Sequence, residues 1–213
     1  MTENLDPRIV ELLCSHLCHE LISPVTAVNN GLELVGDGDS EMLAEALGLM
    51  RQSASEASKK LQFYRLAYGQ AAAFDAARGL QQVRELTDGL LQGGKVTLNW
   101  SQSDKMAVAD KASVKLLLNI LALARETLPR GGVIAVTIGP SLQTEVVASG
   151  PGARLAPEVQ AAMEPNVNCE SLTPRTVHAY LIGWLGRGLN ASFAVEIQTP
   201  DQVVFRIRLD AGS

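Results

Sequence analysis

The sequence predicts an α+β protein, a long N-terminal helical hairpin followed by a mixed α/β domain with helices on one sheet face. Three observations carry that expectation. Through residue 68, apolar residues recur at spacings of three, four and seven, broken once by Gly36-Asp37-Gly38-Asp39-Ser40. Beyond residue 74 the pattern changes to short alternating runs separated by turns rich in glycine and proline. Hydrophobic residues make up 46% of the 213 positions but aromatic ones only 4%, which suits an aliphatic core between packed helices.

The first helix is expected over 7–35. Asp6-Pro7 offers a capping carboxylate and a proline in the first turn, and Ile9, Leu13, Leu17, Leu21, Val28, Leu32 and Val35 form an apolar face. A second helix, over 41–68 with Ser40 as its cap, presents Met42, Leu43, Ala46, Leu49, Met50, Ser53, Ala57, Leu61, Tyr64 and Ala67. Two long helices joined by about five polar residues read as an antiparallel hairpin. A hairpin cannot bury both of its faces alone, so pairing with a second copy into a dimeric four-helix bundle is expected. Residues 1–73 form this unit, and 69–73 read as a linker or frayed helix end.

Residues 74–213 form the second domain. Helices are expected over 74–91, 110–128, 155–163 and 173–186. Strands are expected over 95–100, 106–109, 133–138 and 145–148, with a closing hairpin of 193–198 and 203–209. Pro129-Arg130-Gly131-Gly132 stops the helix before it, and 149–153 is a loop.

Charge narrows the function classes. Lys plus Arg total 18 and Asp plus Glu total 23, a net of −5. Residues 1–74 hold 5 basic and 10 acidic side chains, and 75–213 hold 13 of each, so the whole excess sits in the hairpin. No basic stripe exists to neutralise phosphates, which argues against a nucleic-acid partner. No run approaches the ~18 apolar residues of a membrane span, and Met1-Thr2-Glu3-Asn4 lacks a signal-peptide pattern, so the cytoplasm is expected. Cys14, Cys18 and Cys169 form no disulfide framework.

The most informative stretch is Leu12-Leu13-Cys14-Ser15-His16-Leu17-Cys18-His19-Glu20-Leu21-Ile22-Ser23-Pro24. At about 100° per residue, His19 lies opposite Leu17, Leu21, Val28 and Leu32, and shares its face with Ser15, Ser23, Thr26 and Asn30. That stripe is small and polar, leaving the imidazole open to a docked partner. A neutral imidazole nitrogen is nucleophilic near physiological pH and suits carriage of a phosphoryl group. Glu20 is expected to help orient or deprotonate the ring. Pro24 lacks the N–H that would bond the Glu20 carbonyl, so a bend one turn after His19 is expected. From helix geometry alone, a solvent-facing histidine need do nothing. His16, 60° away on average helical geometry, reads as a bystander bordering the docking face, and His178 as filler. A zinc reading fails locally. His19-Glu20 opens a metalloprotease pattern, but Ser23 stands where a second histidine is required, and Cys14 and Cys18 lack a complete ligand set.

The run Leu17-Cys18-His19-Glu20-Leu21-Ile22-Ser23-Pro24-Val25, continued by Asn29-Asn30-Gly31-Leu32-Glu33-Leu34, resembles the phosphoacceptor box of sensor histidine kinases. More narrowly, it resembles ChpT-type histidine phosphotransferases of alphaproteobacterial cell-cycle phosphorelays. That likeness implies a dimerisation hairpin followed by a degenerate histidine-kinase-like α/β sandwich. A working kinase domain carries two asparagines on one helix. Here Asn119 matches the first, and Leu123 stands where the second would hold magnesium. The Asp-x-Gly-x-Gly that reads adenine appears as Ala148-Ser149-Gly150-Pro151-Gly152, and the later lid as Thr173-Pro174-Arg175-Thr176-Val177-His178 without cradling glycines.

The resemblance therefore implies a relay rather than a kinase. A hybrid kinase's phosphorylated receiver would donate to His19, and response-regulator receivers would take the group on. Glu20 would assist, while Ser15, Ile22, Ser23, Thr26 and Asn30 would border the docked partner. The chain would bind no cofactor or metal itself, and Mg2+ would sit in the partner receiver. Three alternatives are a non-catalytic dimeric adaptor that binds receivers, an ATP-dependent histidine kinase, and a metal-bound or redox protein built on Cys14 and Cys18.

Overall fold

A computed structural model describes residues 6–35, 40–69, 76–102, 109–139 and 142–209. The expected break at 36–40, linker at 69–73 and strand at 106–109 fall largely outside them. Helix α1 spans Pro7–Val35 and α2 spans Ser40–Ala67. The Asp6 carboxylate accepts from the Arg8 N–H at 2.9 Å, so the aspartate before the proline caps α1 as expected. Gly31 of α1 packs so closely on Met50 of α2 that a Cβ there would collide with the methionine side chain.

Helix α1 runs unbroken through Pro24. Proline denies the Glu20 carbonyl its helical donor, and Lys60 Nζ of α2 supplies a replacement at 3.0 Å. The lysine lies under the ends of two carboxylates as well, 3.0 Å from Glu56 and 3.7 Å from Glu20.

After a short 3-10 turn at Ala76–Arg78 come α3 (Gly79–Leu91), β1 (Val96–Gln102), α4 (Lys111–Glu126), β2 (Gly132–Ile138) and β3 (Thr144–Ser149). Then follow α5 (Pro157–Ala161), a 3-10 turn at Cys169–Ser171, α6 (Val177–Gly188), β4 (Ala191–Thr199) and β5 (Gln202–Leu209). The sheet order is β1-β2-β3-β5-β4, with β1 and β2 parallel and the remaining pairs antiparallel. Register aligns three rows on one face: Ile134–Ala148–Val203, Val136–Val146–Phe205 and Ile138–Thr144–Ile207. All nine residues are buried, which gives the sheet its packed face.

Helices α3, α5 and α6 are shorter than their periodicity suggests, α3 beginning at Gly79 only after the 3-10 turn. Proline at the first position of α5 sets its start at residue 157, and α6 begins only at Val177, after the turn closed by the Val177 and Thr176 N–H groups on the Thr173 carbonyl. The hairpin base and the second unit share one continuous core: Ile9, Phe63, Tyr64, Leu66 and Ala67 join the same cluster as Leu80, Leu116, Ile120 and Val177.

Candidate functional site

The buried line of α1 differs from the apolar face that its sequence suggests. Ile9, His16, Pro24 and Gly31 are buried, while Leu17, Leu21 and Val28 are half-buried and Leu32 is 58% exposed. The contact line is thus built partly from polar and small residues. Gly31 lets the helices approach, and His16 and Glu20 find polar partners outside the hairpin.

On the opposite side the expected stripe is intact. Ser15, His19, Ile22, Ser23, Thr26 and Asn30 are all exposed. The Ser15 hydroxyl donates to the Glu11 carbonyl at 3.0 Å, which draws that side chain back along the helix. His19 therefore stands among short side chains, with Ile22 offering an apolar contact one turn on.

Glu20, expected to orient or assist the His19 ring, has its carboxylate drawn toward the second unit. Its carboxylate accepts from Arg125 Nη2 of α4 at 2.7 Å and lies 3.7 Å from Lys60, with only 20% of the side chain exposed. Burial pushes this carboxyl up, but Arg125 and Lys60 outweigh it and hold it below the ordinary carboxylate range. The physical reason is rotation: adjacent helical residues point about 100° apart, so Glu20 faces the second unit while His19 faces out.

His16 does not border the exposed stripe around His19. It is 8% exposed, its Nδ1 lies 3.2 Å from the Pro174 carbonyl, and its ring packs against Tyr64, Tyr68 and His178. Burial and the neighbouring His178 hold its imidazole below the ordinary histidine value. His178 is 1% exposed and has an acid beside it: Nδ1 lies 3.4 Å from Glu126 Oε1. Sequence reasoning missed this cluster because its members lie on α1, α4 and α6. Cys14 and Cys18 are exposed.

The positions matched to a nucleotide site are filled by core. Asn119 is fully buried, and its amide donates to the Ala67 carbonyl of α2 at 3.1 Å and to the Lys115 carbonyl at 2.8 Å. It ties α4 to the hairpin. Leu123 and Ala148 are buried, Ala148 between Ile134 and Val203 in a sheet row. The glycines of the following loop have a packing reason to be there. A Cβ at Gly150 would strike the Gly131 carbonyl oxygen, and Gly152 adopts φ +71°.

A sequence profile described as "Histidine phosphotransferase C-terminal domain" matches residues 80–201, more than half of the chain. This chain belongs to that histidine phosphotransferase family. Protein phosphotransferase ChpT of Brucella abortus (strain 2308) is 37% identical over 127 residues, which take in 60% of this chain and 59% of that protein. The match thus spans about three-fifths of the length of that relative. A 1.7 Å structure of a bacterial phosphotransferase superposes with a TM-score of 0.82 at 28% identity, covering 96% of this chain and 98% of the other. The fold expected from the sequence, helical hairpin plus α/β sandwich, is the fold observed. Among the described residues, no helix is long and apolar enough to cross a membrane.

Proposed function

We propose that this histidine phosphotransferase family member relays a phosphoryl group through His19, from the receiver aspartate of a hybrid histidine kinase to that of response regulators. The observation that carries the reading is the pairing of an exposed His19 on a stripe of short side chains with core residues at the nucleotide positions, Leu123 and Ala148. An imidazole nitrogen attacks the phosphorus of the aspartyl phosphate. The P–N bond forms, the bond from phosphorus to the carboxylate oxygen breaks, and the aspartate leaves with the electron pair while the ring sheds a proton. The second transfer runs the same exchange in reverse on another receiver. Such a transition state chiefly needs alignment and neutralised charge, and Mg2+ in the receiver's own acidic pocket supplies the latter. Glu20 acts as a positioning residue, anchoring the turn below His19 to Arg125 and Lys60. ATP takes no part.

The working form in this reading is a homodimer. Val10, Val25 and Leu32 of α1 and Leu47 and Leu61 of α2 are 41–58% exposed, the three on α1 rotated at least about 120° from His19. Together with half-buried Leu17 and Leu21 they give each hairpin an uncovered apolar seam, which a second copy would close into a four-helix bundle. Ser15, Ile22, Ser23, Thr26 and Asn30 stay on the outside of such a bundle, facing receivers.

A reconstituted relay tests the proposal. The purified chain is mixed with a labelled phosphoreceiver, a second receiver is added, and label is followed on each protein. Passage through wild-type protein and none through His19→Ala is expected. Equal passage through both would sink the relay and leave a receiver-binding adaptor; label on His19 from ATP alone would restore the kinase reading.

A further inference from the structure

The buried cluster between hairpin and sheet domain plays no part in this relay, and its chemistry points elsewhere. We propose that His16, Glu126 and His178 form a binding site for one Zn2+ ion, which clamps α1 of the hairpin to α4 and α6 of the second unit.

The three residues each bring one ligand atom to within 4.8 Å of the others. His178 Nδ1 and Glu126 Oε1 are already 3.4 Å apart. That is about the edge of a tetrahedron with metal–ligand bonds near 2.0–2.1 Å, so closing the widest separation takes a shift of at most about 1.5 Å. Two imidazoles and a carboxylate are a borderline donor set. They suit Zn2+ and leave a fourth position for water, whereas Mg2+ and Ca2+ demand oxygen ligands throughout.

Two further observations point to a ligand. Among the described residues, His16 Nε2 and both ring nitrogens of His178 are buried without a hydrogen-bond partner, as is the Tyr68 hydroxyl of the same ring cluster. Buried polar atoms are ordinarily satisfied, and a metal would use the nitrogens. The second observation is the contact of His16 Nδ1 with the Pro174 carbonyl. A carbonyl only accepts, so Nδ1 carries the proton and Nε2 presents its lone pair. This is how metal-bound histidines are commonly oriented, with the remote N–H given to a backbone carbonyl. Glu126, 30% exposed at its side chain, opens an entry path for the ion.

The test uses the full-length, tag-free chain stripped with a chelator, then titrated with Zn2+ in competition with a chromophoric chelator. One Zn2+ per chain at micromolar affinity or tighter is expected, with Co2+ giving the intense visible absorption of a tetrahedral site. Glu126→Gln and His178→Gln should each weaken binding at least about 100-fold while far-UV circular dichroism stays unchanged. Glu126→Gln is isosteric and partly exposed, so it reports even where His178→Gln fails to fold. His19→Ala and Cys14→Ser with Cys18→Ser should stay within about threefold of wild type, which separates this site from the relay and from surface ligands. Absence of stoichiometric binding, binding untouched by Glu126→Gln, or binding lost in the cysteine or His19 variants would overturn the proposal.

Discussion

His16 and His19 stand three residues apart on α1 and meet opposite surroundings. His19 faces outward among Ser15, Ser23 and Thr26, with its environment set by its own helix alone. His16 faces inward, and its environment is set by residues 48 to 162 positions away: Tyr64, Tyr68, Pro174 and His178. The outer face needs only helical periodicity to exist. The inner face exists only once the second unit has folded against the hairpin. An exposed face of the first kind tolerates substitution with little loss of stability; a junction of the second kind does not.

Four substitutions press on that contrast. His19→Ala should lower receiver-to-receiver transfer at least about 1000-fold in a radiolabel assay. Its unfolding free energy should stay within about 0.5 kcal/mol of wild type, because the side chain is exposed. Leu32→Lys places a charge on the open flank of α1. It should raise the dimer dissociation constant at least about 100-fold by sedimentation equilibrium, since a charge trapped in a bundle seam lacks a partner.

Arg125→Ala works on the inner face and removes the closest partner of a carboxylate that is only 20% exposed. A loss of about 2–3 kcal/mol is expected, since Lys60 remains at 3.7 Å to compensate part of the charge. For a chain of this size that corresponds to a fall of roughly 4–12 °C in Tm, measured by calorimetry.

The smallest effect is on pH dependence. The folded-state value of Glu20 lies below the ordinary 4.5, so its contribution is fully present above that value and is lost as pH falls through the lower folded one. Urea midpoints between neutral pH and pH 3 should fall more steeply for wild type than for Glu20→Gln, which lacks this titration. The groups facing the carboxylate are Arg125, Lys60, His16 and the Tyr64 hydroxyl. Equal slopes would mean that Glu20 is no better held in the folded chain than in the unfolded one.

Much of this was legible along the chain. The cap at Asp6, both hairpin helices, α4 and the sheet strands among the described residues follow from local chemistry and periodicity, and so does the exposed stripe around His19. What periodicity misjudged was which polar residues would be buried. The count of leucines and valines on α1 places the core beside Leu17 and Leu21, yet the contact line passes through His16, Glu20 and Pro24. Their partners, Pro174, Arg125 and Lys60, sit on other elements, and no local window contains both halves of such an interaction.

Pro24 and Lys60 bind two positions of the sequence into one unit of inheritance. Replacing the lysine alone would strand the carbonyl that the proline leaves without a donor, and replacing the proline alone would make the lysine's reach across the hairpin redundant there. Each residue is tolerable because of the other. Anyone redesigning this hairpin, or drifting through its variants by chance, has to treat them as a single letter spelled on two helices.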